Sequence, residues 1–207
     1  MRLDAEHEIA TLAELEALYG TPAEASLAKE TERLTPQYRR MIEAAPFFAL
    51  ASAGAEGLDC SPRGDGPGFV RVLDDTRLAV PDRRGNNRID TLRNLLQDPR
   101  VALLFLIPGI NETLRVNGRA VITTQPELLE SFTEQGKRPA SALVVTIDSV
   151  YFQCARALLR SRLWDPAAQV ERKQLPSAGE MIREAKADFD AEAYDAALPG
   201  RQKDTLY

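Results

Sequence analysis

The segment from Pro46 to Cys154 consists mostly of short apolar runs separated by turn-forming residues. This pattern predicts six or seven β-strands, mostly in sequential hairpins, with one short helix between the fourth and fifth strands. Antiparallel strands in this order favour a closed or partly closed barrel, because closure removes exposed strand edges. A doubly wound sheet needs regular strand–helix alternation, which this segment lacks. The sequence therefore predicts a mainly β protein of the α+β class, built on a barrel.

Glycine, proline and aspartate residues set the predicted boundaries of the elements. Gly118 lies inside one long strand and is a predicted bulge. The predicted strands cover 47–53, 58–62, 69–73, 78–81, 101–107, 112–124 and 142–154, and helices are predicted at 88–96 and 126–135.

Both ends of the chain are predicted to be helical additions. Residues 1–45 carry apolar residues at helical spacing from Ile9 to Leu18 and helix-start signals at Thr21 and Thr35, so we expect helices that pack one stripe onto the body. Residues 167–207 contain a capping-box sequence at 177–180, which predicts a helix to about Asp190 and a loosely held tail. With the barrel at 46–166, we expect one structural domain overall.

Charge and hydropathy limit the classes of partner. The net charge is −5, which gives no general attraction to nucleic acid or anionic lipid. The longest apolar run, Val101–Pro108, is strand-sized and too short for a membrane span. The N-terminus is acidic rather than basic and apolar, so we expect no secretory signal and a cytoplasmic location.

Cysteine and histidine provide no evident metal site. Cys60 and Cys154 form neither a metal-ligand spacing nor a disulfide framework, and we expect both to be small buried apolar side chains. The single histidine, His7, lies in a polar N-terminal stretch without convergent partners. We predict no metal site.

The residues that suggest a binding site lie between Cys60 and Arg93. Arg63 ends a predicted strand before a Gly-rich loop, and Asn87 and Arg88 stand at a predicted helix start. A helix N-terminus favours a bound anion, whereas Arg88 alone would be unfavourable there. A phosphate monoester held by both arginines would explain that placement. The alternative is a solvated basic loop, with Arg63 paired to Asp65 at the surface.

The motifs of this region resemble those of the pyridoxamine 5′-phosphate oxidase-like FMN-binding proteins, and most closely a subgroup described only as FMN-dependent enzymes. The resemblance covers Pro46 to Pro166 nearly completely. It is carried by SPRGD with GPGFV (61–70), LAVPD (78–82) with its following Gly-Asn-Asn loop, NLLQDPRVALLFLIPG (94–109), ETLRVNGRA (112–120) and FQCARALLRSRLWDP (152–166). It implies an FMN-binding split β-barrel and a homodimer with FMN sites at the subunit interface.

The resemblance also implies cofactor-binding residues. The strand with Ser61, Pro62 and Arg63 would lie against the flavin and its phosphate. Val80 and Pro81 would flank the flavin ring, and Asn87 and Arg88 would complete the phosphate site. Thr113 would reach the flavin from the partner subunit.

The stretch from Cys154 to Trp164 supports two hypotheses. It could close over the flavin or an anionic substrate, with Trp164 stacking and Arg160 reaching the pocket. Alternatively, Trp164 could belong to the core, with the arginines paired to an acidic C-terminal helix.

Two departures from true pyridoxamine-phosphate oxidases change the expected substrate. SPRGD replaces their longer aliphatic, lysine-ended run, and the C-terminal Arg-x-His motif is absent because His7 is the only histidine. We therefore expect an FMN-dependent oxidoreductase that acts on another small molecule, with no catalytic side chain assigned. The alternatives are a non-catalytic flavin carrier or sensor, and a split barrel that holds a deazaflavin or haem.

Overall fold

The computed structural model describes residues 4–207, and its centre is one antiparallel sheet of seven strands. The strand order is β2-β1-β5-β6-β7-β4-β3. The strands are β1 (Phe47–Gly54), β2 (Gly57–Gly64), β3 (Arg71–Val72), β4 (Arg77–Asp82), β5 (Arg100–Leu106), β6 (Thr113–Thr123) and β7 (Ser141–Gln153).

The described residues also form eight α-helices. They are α1 (Leu12–Tyr19), α2 (Glu24–Ala28), α3 (Pro36–Ala44), α4 (Asp90–Leu95), α5 (Pro126–Ser131), α6 (Arg156–Ser161), α7 (Ala178–Ala185) and α8 (Ala191–Asp204). Short 3₁₀ turns cover Ala5–His7, Pro166–Ala168 and Arg172–Gln174.

The sheet wraps around a single main core and leaves β2 and β3 as its edges. Phe48 on β1 packs on Phe105 of β5, with ring centroids 4.9 Å apart. Phe48 also stacks on Phe69, which precedes β3, at 5.8 Å. Aromatic contacts thus bring the two ends of the sheet together around the core, which is the arrangement of a split barrel. The predicted fold class is confirmed.

Alternation along the strands explains which side chains enter the core. On β5, Val101, Leu103 and Phe105 are buried while the residues between them are half-buried. Successive side chains of a strand point to opposite faces, so every second residue contributes to the core. α3 adds Tyr38 and Ile42 to the same core, and Thr35 caps this helix by accepting from the Tyr38 amide at 3.2 Å.

The predicted bulge at Gly118 is present. The register between β6 and β7 shifts between Asn117 and Gly118. A Cβ at Gly118 would overlap the carbonyl oxygen of Thr146, a backbone atom of the neighbouring strand. Glycine is therefore required by the close approach of two strands.

Several local predictions are corrected by the structure. Residues 69–73 form only the two-residue strand Arg71–Val72. α1 buries no residue, so it does not pack a stripe onto the body as expected. The start predicted at Thr21 is displaced, since α2 begins at Glu24 and Ala23 caps it without a side-chain hydrogen bond.

The C-terminal region is more ordered than its sequence predicts. The capping box at Ser177 and Glu180 is formed, but α7 ends at Ala185 and a second helix, α8, continues to Asp204. The chain then ends at Tyr207, whose hydroxyl donates to Asp65 at 2.8 Å. Most of the tail expected after Asp190 is therefore helical, which corrects the predicted end of the last helix.

Candidate functional site

A groove of about 1090 Å³ lies between the end of β2, the loop joining β4 to α4, and the C-terminus. Its polar and charged lining residues include Asp59, Ser61, Arg63, Asp65, Asp82, Arg83, Arg84, Asn86, Asn87, Arg88, Asp90, Thr91, Lys137, Arg138 and Tyr207. We call this the β2–α4 groove.

The edge strand β2 supplies one wall. Asp59, Ser61 and Arg63 alternate along it and therefore share one face. Their antiparallel partners on β1 include the buried residues Leu50 and Phe48, so this face is the core-facing one. At the edge of the sheet, the core-facing positions extend past the apolar interior. Polar side chains can then line an open groove instead of being buried.

A hydrogen-bonded cluster forms the floor of that wall. The Asp59 carboxylate accepts from Ser61 Oγ and from Thr91 Oγ1, each at 3.1 Å. Thr91 lies on α4 and is buried, so it links the helix to the edge strand. This cluster positions Ser61 at the groove surface.

An ion pair joins the two sides of the groove. Asp65, directly after β2, accepts from Arg83 Nε at 2.8 Å and from the Gly66 amide at 2.7 Å. Its side chain is only 7% exposed. Burial by itself would raise the pKa of Asp65, but hydrogen bonds from Gly66, Tyr207 and Arg83 outweigh burial and hold that pKa below its ordinary value.

The loop before α4 presents Arg88 with an unusual backbone. Asn87 and Ile89, on either side of Arg88, have φ angles of 60° and 54°. The left-handed region is unfavourable for a β-branched residue such as Ile89, and strain of this kind concentrates at functional sites. α4 begins at Asp90, not at Arg88 as predicted, so Arg88 precedes the helix.

Arg88 is paired in this conformation. Its Nε donates to Asp90 at 2.8 Å, and this hydrogen bond raises the pKa of Arg88. The Asp90 carboxylate also offsets the cation at the helix start. The side chain of Arg88 is 74% exposed, which leaves it free to turn toward a ligand in the groove.

Arg63 lies close to a second carboxylate. Burial raises the pKa of Asp82, and the positive charge of Arg63 only partly opposes this effect. Arg63 donates to the carbonyl of its neighbour Pro62 at 2.9 Å. Its pairing with Asp65, the alternative drawn from the sequence, is not formed, because Arg83 is the partner of Asp65.

The groove carries more positive than negative side chains. Six cationic and four acidic residues line it, an excess of two positive charges on a chain whose net charge is −5. A concave surface with this local excess attracts anions, although the protein as a whole is acidic.

Six of the ten predicted cofactor-binding residues line the groove together: Ser61, Pro62, Arg63, Pro81, Asn87 and Arg88. Val80 instead contributes its side chain to the core. Thr113 is buried at the start of β6, outside the groove lining. Arg160 and Trp164 also lie outside it, on and after α6.

The position of Trp164 agrees with neither of the two hypotheses for its segment, stacking at the pocket or burial in the core. It is half-buried rather than in the core, and its Nε1–H donates to the Ile110 carbonyl at 2.8 Å. The neighbouring Arg162 pairs with Asp165, within its own segment, and not with the C-terminal helices.

The cysteines and the histidine lie away from the core. Cys60 and Cys154 are both exposed, which corrects the expectation that they are buried. Cys60 faces outward on the edge strand β2. His7 lies in an exposed 3₁₀ turn. Within residues 4–207, no group of three or more His, Cys, Asp or Glu side chains has a metal-binding arrangement.

The sequence interpretation missed several groove residues. Asp59 could have been found from its two-residue spacing to Ser61 and Arg63. Asp65 was noted only as a surface partner. Thr91 and Tyr207 carry no local signal, because their positions depend on packing across the fold.

Fold and groove together define a split-barrel protein with a basic, anion-attracting groove beside its edge strand. The sequence model of the family described as pyridoxamine 5′-phosphate oxidase matches residues 34–154, more than half of the chain. The chain belongs to the pyridoxamine 5′-phosphate oxidase family, as its motifs predict. No curated protein is significantly similar to it.

Solved structures of several proteins are similar to part of this chain. HupZ of Group A Streptococcus is 14% identical over 57% of this chain and 93% of its own, with a TM-score of 0.47. General stress protein 26 of Bacillus anthracis is 16% identical over 55% and 88%, with a TM-score of 0.42. An F420 reductase is 18% identical over 58% and 98%, with a TM-score of 0.41.

No helix among the described residues combines the length and the apolar character needed to cross a membrane.

Proposed function

We propose that the β2–α4 groove binds FMN and that the protein is an FMN-dependent oxidoreductase acting on a small molecule. The observation that carries this proposal is the convergence of Arg63, Asn87 and Arg88 on one groove, although β2 and the loop before α4 are separated in sequence by β3 and β4. Family membership supports a flavin, since the family includes flavin-binding oxidoreductases.

The residues of the groove fit a flavin phosphate. Arg63 and Arg88 supply guanidinium donors, and Asn87 adds an amide, so a phosphate monoester would receive charge-assisted hydrogen bonds. Arg88 would exchange its pairing with Asp90 for the phosphate. Ser61, Pro62 and Pro81 would then lie along the remainder of the cofactor.

Bound FMN would supply hydride chemistry, while the protein supplies position and electrostatics. Asp82 is the groove carboxylate with a raised pKa, caused by burial. Its carboxyl group therefore gives up its proton less readily than an ordinary aspartic acid does. We assign it no catalytic step.

We further propose that the protein is a homodimer. On the outer face of β1 and β5, the register pairs Phe47 with Leu106, Ala49 with Leu104 and Ala51 with Ala102. This face is apolar and only partly covered within the chain, and Phe47 is 39% exposed. A partly exposed apolar face of this kind suits an isologous contact with a second copy. Thr113, the residue predicted to act from the partner, is only 4% exposed within its own chain, so it would have to be uncovered to contact the partner's groove.

The visible spectrum of freshly purified protein tests the cofactor directly. We expect oxidised-flavin absorbance and release of FMN, identified by mass, on denaturation. Light scattering should give the mass of a dimer. Colourless protein that fails to take up added FMN in titration calorimetry would contradict the proposal.

The exposed N-terminal helices favour one second candidate, a non-catalytic flavin carrier or sensor. α1 buries no residue and exposes Leu12 and Leu18, which leaves an apolar surface available for a partner. Stopped-flow reduction separates the two candidates. If the protein is an oxidoreductase, NADH or NADPH should reduce its bound flavin at a useful rate. If it is a carrier, the rate of reduction should be negligible. Mass analysis of the released chromophore likewise distinguishes FMN from a deazaflavin or haem.

We also propose a cytoplasmic location. Cys60 and Cys154 are exposed free thiols, which persist in reducing compartments.

A further inference from the structure

The last two residues of the chain form part of the groove. α8 ends at Asp204, and Thr205 Oγ1 donates back to the Arg201 carbonyl at 2.7 Å. Beyond that point, Leu206 and Tyr207 leave the helix and line the β2–α4 groove. The C-terminus therefore supplies a wall that neither the sheet nor α4 provides.

Tyr207 holds this wall in place by two contacts. Its hydroxyl donates to Asp65 Oδ1 at 2.8 Å, and the guanidinium carbon of Arg83 lies 5.4 Å from the centre of its ring. The hydrogen bond to the carboxylate raises the pKa of Tyr207. A charge-assisted hydrogen bond and a cation–π contact thus act on one side chain.

The same two charged groups also organise the groove. Asp65 follows β2, while Arg83 follows β4 and donates through Nη1 to the Phe132 carbonyl at 2.7 Å. The attachment of the tail and the spacing of the two walls therefore depend on one ion pair. Opening the tail would release one of the hydrogen bonds that Asp65 accepts.

Leu206 and the last turn of α8 have little buried surface. Leu206 is 65% exposed, and residues 201–204 are exposed as well. Segments with few buried apolar contacts open at low free-energy cost. The structure therefore combines a specific closing contact with a segment that can detach.

We propose that Leu206 and Tyr207 form a C-terminal clasp, which must open for a ligand to enter or leave the β2–α4 groove. The proposal rests on the proposed function for the identity of the ligand, FMN. It goes beyond that function by assigning control of ligand exchange to the tail.

The test compares apoprotein reconstituted with FMN in four forms: wild type, a deletion of residues 206–207, Tyr207→Phe, and Tyr19→Phe as a control on the exposed face of α1. Stopped-flow measurements give the association and dissociation rates. For the deletion we expect both rates to rise about tenfold, which corresponds to about 1.4 kcal/mol for opening the clasp. Tyr207→Phe keeps the ring over Arg83, so its rates should rise by a smaller factor.

The two rates separate a clasp from a simple wall. A wall that only contacts the ligand would change dissociation and leave association as in wild type, and that result would overturn the proposal. The proposal would also be overturned if the deletion and the Tyr19→Phe control had the same association and dissociation rates.

A ligand-free measurement keeps the clasp separate from the cofactor assignment. Hydrogen exchange of the apoprotein should be faster in the deletion at residues 64–67 and 83–89, with β5–β7 unchanged. If wild-type protein binds no FMN, the proposed function fails, and this exchange pattern alone decides whether the clasp exists. Unchanged exchange in both segments would refute the clasp.

Discussion

Asp65 and Arg83 form an ion pair in which Nε lies 2.8 Å from Oδ2, and this pair joins the residue after β2 to the residue after β4. Both side chains are largely shielded from solvent, at 7% and 19% exposure. The pair thus connects two segments that line the groove but are not neighbours in the sheet.

Asp65→Asn should destabilise the protein in a pH-dependent way. Breaking a largely buried pair leaves Arg83 without its anion, so we expect a loss of about 2–4 kcal/mol at neutral pH. Because the folded-state pKa of Asp65 is depressed, its contribution is present above the unfolded pKa and is lost as pH falls through the folded pKa. Chemical unfolding of both proteins should therefore show a constant difference from pH 5 to 8 that shrinks below about pH 4. A difference that grows toward acid would contradict this assignment.

Arg63→Ala and Arg88→Ala should each weaken FMN binding by about 1.5–3 kcal/mol, the range for hydrogen bonds to charged groups. The loss for Arg88 should lie at the lower end, because it must first leave Asp90. Arg93→Ala is the matched control, since Arg93 lies on α4, is exposed and is not part of the groove lining. Titration calorimetry with unchanged affinity in both groove variants would remove these residues from the site.

Asp82→Asn should strengthen FMN binding by about two- to tenfold, because it removes a negative charge that competes with the phosphate for Arg63. It should also stabilise the apoprotein at neutral pH. Burial raises the folded-state pKa of Asp82, so the ionised carboxylate costs stability once pH rises through the unfolded pKa. Calorimetry and thermal unfolding at pH 5 and 8 measure both effects. Asp188→Asn, at an 80% exposed side chain, is the control and should change neither.

Ile89→Gly should stabilise the fold and weaken the site. Ile89 has a left-handed backbone with φ 54°, a conformation that glycine adopts without steric strain. After the entropy cost of glycine is subtracted, the free energy of unfolding should rise by about 1 kcal/mol. Arg88 would be held less firmly, so FMN affinity should fall. Leu96→Gly, at φ −72°, should instead lose stability without affecting FMN. Equal destabilisation of both variants would show that Ile89 is not strained.

Gly118→Ala should cost about 1–3 kcal/mol, the usual range for overpacking, because the added Cβ meets backbone of β7 that cannot easily move. Gly85→Ala is the comparison, since a Cβ there meets nothing within 4 Å. In thermal unfolding, Gly118→Ala should have a clearly lower melting temperature than Gly85→Ala. A wild-type melting temperature for Gly118→Ala would mean that β6 and β7 are less closely paired there.

Short-range patterns in the sequence predicted much of this protein. The two-residue alternation gave the strands within one or two residues, except at 69–73, and the helix-start signal at Thr35 placed α3. These signals work because side-chain alternation and end-capping involve residues only two to four positions apart. The motifs around Arg63 and Arg88 also identified the family.

Errors arose where exposure depends on distant parts of the chain. Cys60 was expected to be buried, yet it is exposed because β2 is an edge strand, and edge position depends on the order of all seven strands. α1 has a helical apolar pattern, but no part of the described chain covers it.

The sequence by itself thus determined the strands, most helix positions, the bulge and the family, because each depends on local backbone preferences or on motifs within single segments. Only the tertiary structure decided that Arg83 and not Arg63 pairs with Asp65, and that Tyr207 completes the groove. The physical reason is that these contacts join residues up to 142 positions apart, so they depend on how the whole chain packs rather than on local preferences.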